Sequence, residues 1–316
     1  MHFFDFSEIK KSESSIKRTW GEYREALATK KISFNDVEAA KEELFLKTYN
    51  DLFHDHNGIK LQTKTLGSIV GIPLGRGARL KETEIPDYER FLPKKEFINE
   101  DNRFSPAGVE WLYLAVGDGN TRSECAKKEC RMKAGERFGF CDFQLLDNVL
   151  GQKIVDLTIA DALSYADINN ELEKHGQKQY KRSLKIAKAT GLNVPIDKSA
   201  FNEAMTKWGV FTYSKLLSQQ IFIPLGDGVD KSIEYAPFQS LAQYFISLGY
   251  AGIMYGSTVY PQGKNLVLFD KNMATPVGGI DISVIVYNTA FPAKRKSNLL
   301  SALLPMRTAT IPSGIT

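Results

Sequence analysis

Arg103, Tyr113 and Glu124 fall within one stretch, RFSPAGVEWLYLAVGDGNTRSEC from Arg103 to Cys125, and each is of a type that can do chemistry. A guanidinium grips phosphate or carboxylate bidentately, a tyrosine offers a flat face and a hydroxyl, and a carboxylate stabilises developing positive charge. Each also has an ordinary reading: Arg103 as a carboxylate's partner, Tyr113 as a core residue within Leu-Tyr-Leu-Ala, and Glu124 as a helix cap or surface group. Upstream, Arg76 and Arg79 stand among glycines in GSIVGIPLGRGARL, within residues 66–80. That run lacks the Gly-Lys-Ser/Thr ending of a P-loop, so a strand bearing two arginines fits better, with two exposed arginines on a strand edge as the alternative. Downstream, Ser257 leaves an apolar run, where loops present functional groups, although a lone serine there is more often a turn hydroxyl.

The elements that must position these residues can be read from the same stretches. Ser105-Pro106-Ala107-Gly108 makes a turn, and Val109–Val116 reads as a buried strand. Gly117-Asp118-Gly119-Asn120 ends the strand, after which Thr121 and Glu124 have the Thr-x-x-Glu spacing of a capping box at a helix start. Phe238 to Leu248 predicts a helix with Leu241, Ala242, Phe245 and Ile246 inward, stopped by Gly249. Ile253-Met254-Tyr255 is a short strand, Ser257 follows its exit, and Asn265 opens another strand that runs to Phe269.

Residues 1–65 read as a helical segment. Ile16, Trp20, Tyr23 and Leu27 recur at helical spacing, Ser33–Asp36 starts a second helix, and Val37, Ala40, Leu44 and Thr48 share its face. His54-Asp55-His56, near that helix's end, reads as a solvated terminus and not as a metal site. The main domain is expected over residues 66–285. It holds a surface connection over 81–100, strands at Arg137–Asp147 and Gly151–Thr158, and a helical insertion over about 160–220. Ile168, Leu172, Phe201, Ala204, Met205 and Trp208 mark the amphipathic faces of that insertion, and the basic run Lys178–Lys188 is a solvated helix face. Gly226-Asp227-Gly228 is a loop, and residues 286–316, with Lys294-Arg295-Lys296, form a tail.

Composition excludes several classes. Of 316 residues, 43% are hydrophobic and 25% charged, as in ordinary globular proteins. A net charge of +4 is too mild to demand nucleic acid but suits an anionic ligand. Cys125, Cys130 and Cys141 have no CxxC spacing, and their odd number gives no disulfide framework, so a reducing, cytoplasmic setting is expected with no metal. No apolar run reaches the ~18 residues of a membrane span. The start MHFFDFSEIKK has no basic lead and apolar core, so no signal peptide is expected.

Two ordered blocks resemble a known family. Arg103-Phe-Ser-Pro-Ala-Gly, Trp111-Leu-Tyr-Leu-Ala and Thr121-Arg-Ser-Glu form the first; Tyr235-Ala-Pro-Phe-Gln, Leu248-Gly-Tyr-Ala-Gly-Ile-Met-Tyr-Gly-Ser257 and Asn265-Leu-Val-Leu-Phe269 form the second. Together they resemble the RES domain, named for an arginine, a glutamate and a serine, whose characterised members are bacterial toxins that break down NAD. The resemblance implies an α+β fold, an ADP-ribosyltransferase-like split β-sheet core with helices, here with an extra N-terminal helical segment. It implies NAD as substrate, with Glu124, Arg76 and Ser257 catalytic and Arg76, Arg103, Tyr113, Ser257 and Asn265 binding the dinucleotide. Arg79 stays open as the alternative first-strand arginine, because glycines flank Arg76 where bulkier strand residues are usual. Glycohydrolysis or phosphorolysis, NAD depletion and toxicity are the implied activity. A helix-turn-helix antitoxin is the implied partner, and self-association is a further expectation. The alternatives are ADP-ribosylation of a macromolecule, and a non-catalytic nucleotide- or nucleic-acid-binding role.

Overall fold

Apolar side chains alternate along the strands, and both faces of the resulting sheet are covered, so the sheet sits at the centre of the fold. The computed structural model describes residues 6–54, 58–191, 198–223 and 229–285. In chain order the elements are α1 (Phe6–Ala28), α2 (Val37–Glu42), α3 (Leu44–His54), α4 (Ile59–Gln62), β1 (Thr63–Thr65), β2 (Leu74–Leu80), β3 (Leu112–Val116), α5 (Asn120–Glu129), β4 (Arg137–Leu145), β5 (Lys153–Asp156), α6 (Tyr165–Thr190), α7 (Lys198–Ile221), α8 (Lys231–Ser247), β6 (Gly252–Gly256), β7 (Lys264–Leu268) and β8 (Ala274–Val284). The protein is thus α+β, with helices leading into one mixed sheet of order β1-β5-β6-β7-β3-β2-β4-β8.

The sheet is fastened unevenly. β3 pairs with β7 along its whole length, from Leu112↔Leu268 to Val116↔Lys264, and β2 pairs with β4 from Leu74↔Phe143 to Leu80↔Arg137. Between β2 and β3, however, the register holds only at Leu74↔Val116 and Gly75↔Ala115. Beyond Gly75 the two strands have no register partners in common, and the sheet divides there.

One face carries the larger core. Trp20 and Tyr23 of α1 and Phe45 and Tyr49 of α3 pack with Tyr213 and Leu217 of α7, Leu241 and Phe245 of α8, and Ile253 and Val267 of the strands. Two of its buried tyrosine hydroxyls are satisfied by side chains: Tyr23 donates to Ser240 at 2.7 Å and Tyr244 to Asn50 at 2.8 Å. The opposite face buries Leu74, Ala78, Leu80, Leu112, Leu114, Cys141 and Phe143. α5 covers the β2–β4 half of the first face through Cys125, Ala126, Phe138 and Phe140.

Several local expectations are corrected. The single helix expected from Val37 is two, because Glu43 is extended (φ −70°, ψ 133°) and resets the phase. Phe45, Leu46, Tyr49 and Phe53 therefore turn inward while Leu44 is 51% exposed. α5 starts at Asn120 with Gly119 as its cap at φ 50°, so Thr121 is not the N-cap and Glu124 completes no capping box; Glu124 pairs with Lys127 at 2.8 Å instead. α8 begins at Lys231, one turn and more before Phe238, with Asp230 capping it, Pro237 inside it and Ile246 turned out to solvent. Phe201, expected on the inward face of α7, is also exposed. The strand expected within 66–80 is confined to its second half, a 3₁₀ turn occupying Leu66–Ile69. His54 ends α3, but Asp55, His56, Gly226, Asp227, Gly228 and residues 286–316 lie outside the described residues. Among the described residues no helix is long and apolar enough to cross a membrane.

The glycines beside Arg76 now have a reason. A Cβ on Gly75 would lie 2.2 Å from Phe140 Cζ, and one on Gly77 would lie 2.4 Å from Phe138 Cε2. The rings of β4 occupy the space that bulkier residues on β2 would need. Gly75→Ala is expected to lower stability by about 1–3 kcal/mol, read from urea unfolding. Unchanged stability would mean that Phe140 turns aside freely.

Candidate active site

A row of residues crosses the sheet on its larger-core face. Tyr255 of β6 is opposite Asn265 of β7, Asn265 is opposite Ala115 of β3, and Ala115 is opposite Gly75 of β2. Ala115 and Gly75 are small, so the row dips where the sheet divides, and a cleft of about 700 Å³ opens above it. That volume lies within the ~300–1,000 Å³ of small-molecule sites. Its walls come from β2, the loop before β3, the end of α5 and the start of α8.

Arg76 stands at the point of division. By strand alternation its side chain leaves β2 on the face of Leu74 and Ala78, yet it reaches the cleft through the gap between β2 and β3. Its Nη1 is buried without a hydrogen-bond partner, and burial pushes the guanidinium down to about 10, so it remains charged at neutral pH. A buried unpaired cation is costly and calls for an anion. Arg79 is differently placed: it is half exposed, pairs with Glu136 at 3.3 Å and donates to the carbonyls of Cys130 and Arg131. Of the two, Arg76 is the uncommitted one.

Arg103 enters from the loop before β3. Its guanidinium lies over the rings of Tyr235 and Phe238, at 5.1 and 5.3 Å from their centroids, and burial lowers its pKa. No hydrogen bond or ion pair engages it among the described residues. Tyr113 is held by a 2.9 Å hydrogen bond between its hydroxyl and Ser105, and burial raises its pKa, as it does that of Tyr255. At the mouth, Lys231 pairs with Glu100. Cys130 also lines the cleft, but burial pushes its thiol up to about 11, which keeps it protonated and a poor nucleophile.

Of the three carboxylates that line the cleft, Glu100 pairs with Lys231, Asp101 accepts from the Ala107 amide at 2.8 Å, and the third is Glu129. It ends α5, where the helix dipole disfavours negative charge. Two donors compensate: Ser257 Oγ donates to Oε1 at 2.7 Å and Asn265 Nδ2 donates to the same oxygen at 2.6 Å. The hydroxyl of Ser257 also accepts from the amides of Val259 and Tyr260, at 3.3 and 3.1 Å, which fixes its position. Oε2 has no hydrogen-bond partner among the described residues. The arrangement is an oriented acid in an aromatic cleft with the uncommitted guanidiniums of Arg76 and Arg103 and the exposed Arg131.

Of the residues singled out from sequence, Arg76, Arg79, Arg103, Tyr113 and Asn265 come together around this cleft. Ser257 is fully buried behind Glu129 and does not line it. Glu124 is not brought to the cleft: five residues before Glu129 on α5, it points about 140° away around the helix and pairs with Lys127. The helix phase shows why. Cys125 and Ala126 are the buried face of α5, and Glu129 follows them at i+4 and i+3, whereas Glu124 does not share their stripe. Those two small residues were the available signal for Glu129. Tyr235 and Tyr255 also line the cleft, and both stand inside the quoted blocks.

The face that builds Glu129's donors lies in the last third of the chain, and it is there that a known family coincides. Residues 215–283 match the RES domain. The RES match runs from α7 into β8 and includes Tyr235, Tyr255, Ser257 and Asn265; the helices α1–α3 precede it as an extra segment. Arg76, Arg103, Tyr113 and Glu129 lie before it. No curated protein and no solved structure matches the chain.

Proposed function

We propose that this protein is an enzyme that consumes NAD by breaking the bond between nicotinamide and ribose. The observation that carries the reading is Glu129, a carboxylate held by Ser257 and Asn265 in a cleft with an unpaired buried arginine. The RES match over residues 215–283 supports the same reading. As the C1′–N bond breaks, its electron pair stays with the nicotinamide nitrogen, which leaves as a neutral base, and positive charge builds on the ribose, as in glycoside cleavage. Glu129 Oε2 is the group that stabilises that charge, while Ser257 and Asn265 hold its other oxygen. Arg76 and Arg103 take the pyrophosphate, whose two negative charges match their two uncommitted guanidiniums. The ribosyl cation is then captured by water, with loss of a proton, or by phosphate.

Incubation of the purified protein with NAD, with and without phosphate, tests this. Nicotinamide should appear in step with NAD loss, alongside ADP-ribose or its 1-phosphate. A protein that binds NAD but releases no nicotinamide would leave only the non-catalytic alternative. Induction in bacterial cells should lower NAD and arrest growth; arrest at constant NAD would point to modification of a macromolecule instead. A helix-turn-helix antitoxin is the partner we would seek under these conditions.

A further inference from the structure

Arg76 lines a second cleft as well. On the other face of the sheet, about 350 Å³ lies between β2 and residues 84–98, and Arg76 forms part of its wall too. Arg76, at the division between β2 and β3, thus lines both clefts. In the second cleft Arg90 pairs with Glu84 at 2.7 Å and Lys94 with Glu89 at 3.3 Å, while Asp87 accepts from the Arg90 amide at 3.2 Å. Among the described residues Arg76 is the basic side chain of this cleft without an ion pair, with Nη1 buried and unpartnered. Two large apolar side chains of this cleft are turned to solvent, Ile85 at 92% and Phe97 at 73% exposure. Together they give a flat apolar group a surface to pack against.

We infer that the second cleft holds the adenosine half of the dinucleotide. The inference rests on the reading of the first cleft as the site of nicotinamide release. With the nicotinamide ribose at Glu129 and the pyrophosphate on the shared Arg76, the remainder of the molecule extends past β2 to the side where Ile85 and Phe97 can cover the adenine ring. The adenylate end thus supplies binding free energy remote from the bond that breaks.

The test compares NAD with nicotinamide mononucleotide, which has the scissile bond but no adenosine. In Phe97→Ala the ratio of kcat/KM for NAD over the mononucleotide should fall roughly tenfold or more, the size expected for loss of one base–aromatic stack. Ile85→Ala should move the ratio the same way by less. AMP should inhibit NAD cleavage competitively, with an inhibition constant that rises in Phe97→Ala. Phe97 is exposed, so its loss leaves the fold intact. An unchanged ratio together with an unchanged AMP constant overturns the adenosine site while leaving NAD cleavage standing. Failure of the unaltered protein to release nicotinamide from either compound overturns the reading of the first cleft, and this inference with it.

Discussion

Glu129→Gln should reduce nicotinamide release by about 10³-fold or more in kcat, the scale on which a preorganised electrostatic group contributes. The substitution removes charge but keeps an acceptor oxygen for Ser257 and Asn265, so the cleft should stay assembled. Glu124→Gln is the matched control. Its ion pair with Lys127 is partly exposed and links residues three apart on one helix, where pairs contribute roughly 0–1 kcal/mol. Turnover by Glu124→Gln should stay within about twofold of the parent, since its carboxylate makes no contribution to transition-state charge. The pair of variants decides between two glutamates of one helix: an active Glu129→Gln with an inactive Glu124→Gln would reverse the assignment.

Arg76→Ala should raise KM for NAD by about 10- to 100-fold with a smaller change in kcat, because phosphate contacts are made in the ground state as well as the transition state. The same substitution should leave stability unchanged or improved, since it removes a buried guanidinium whose Nη1 has no partner. Opposite effects on binding and on thermal unfolding would identify Arg76 as a residue kept for its ligand. Arg79→Ala should do the reverse: little change in KM, and a loss of stability of about 1 kcal/mol from its bonds to Cys130 and Arg131. Arg76→Lys should restore little, because an ammonium cannot reproduce the planar fork. A guanidinium pushed down only to about 10 stays charged through neutrality, so KM should be flat between about pH 6 and 8 as far as Arg76 is concerned.

Much of this cleft is legible in residue order, and what is not has specific causes. The run Val109–Val116 is apolar, so a strand bearing Tyr113 follows from it directly, and the observed strand is Leu112–Val116. Arg103 needs only the turn that precedes that strand. The glutamate is harder, because Thr121 and Glu124 imitate a helix start while the helix takes its cap from Gly119. A glycine at positive φ carries no side-chain signature of capping, so the spacing of Thr121 and Glu124 pointed to the wrong register. The role of Gly75 and Gly77 depends on Phe138 and Phe140, some 60 residues on, and no local pattern announces that pairing. The break at Glu43 is similar: Val37, Ala40, Leu44 and Thr48 keep a helical period through it, and packing of Phe45 against Trp20 and Tyr213 wins over that period.

The short seam between β2 and β3 has a consequence for the backbone itself. An ordinary open sheet has two rims, both on the outside, where unpaired amides and carbonyls invite another chain and are usually shielded. Here the rims that face each other beyond Gly75 lie in the middle of the molecule, between strands that are each fully paired on their other side. The cleft opens over this seam, between the end of α5 and the loop before β3. Peptide groups that would be a hazard at the periphery become fixed polar lining, set by the pitch of the strands and not by any side-chain rotamer.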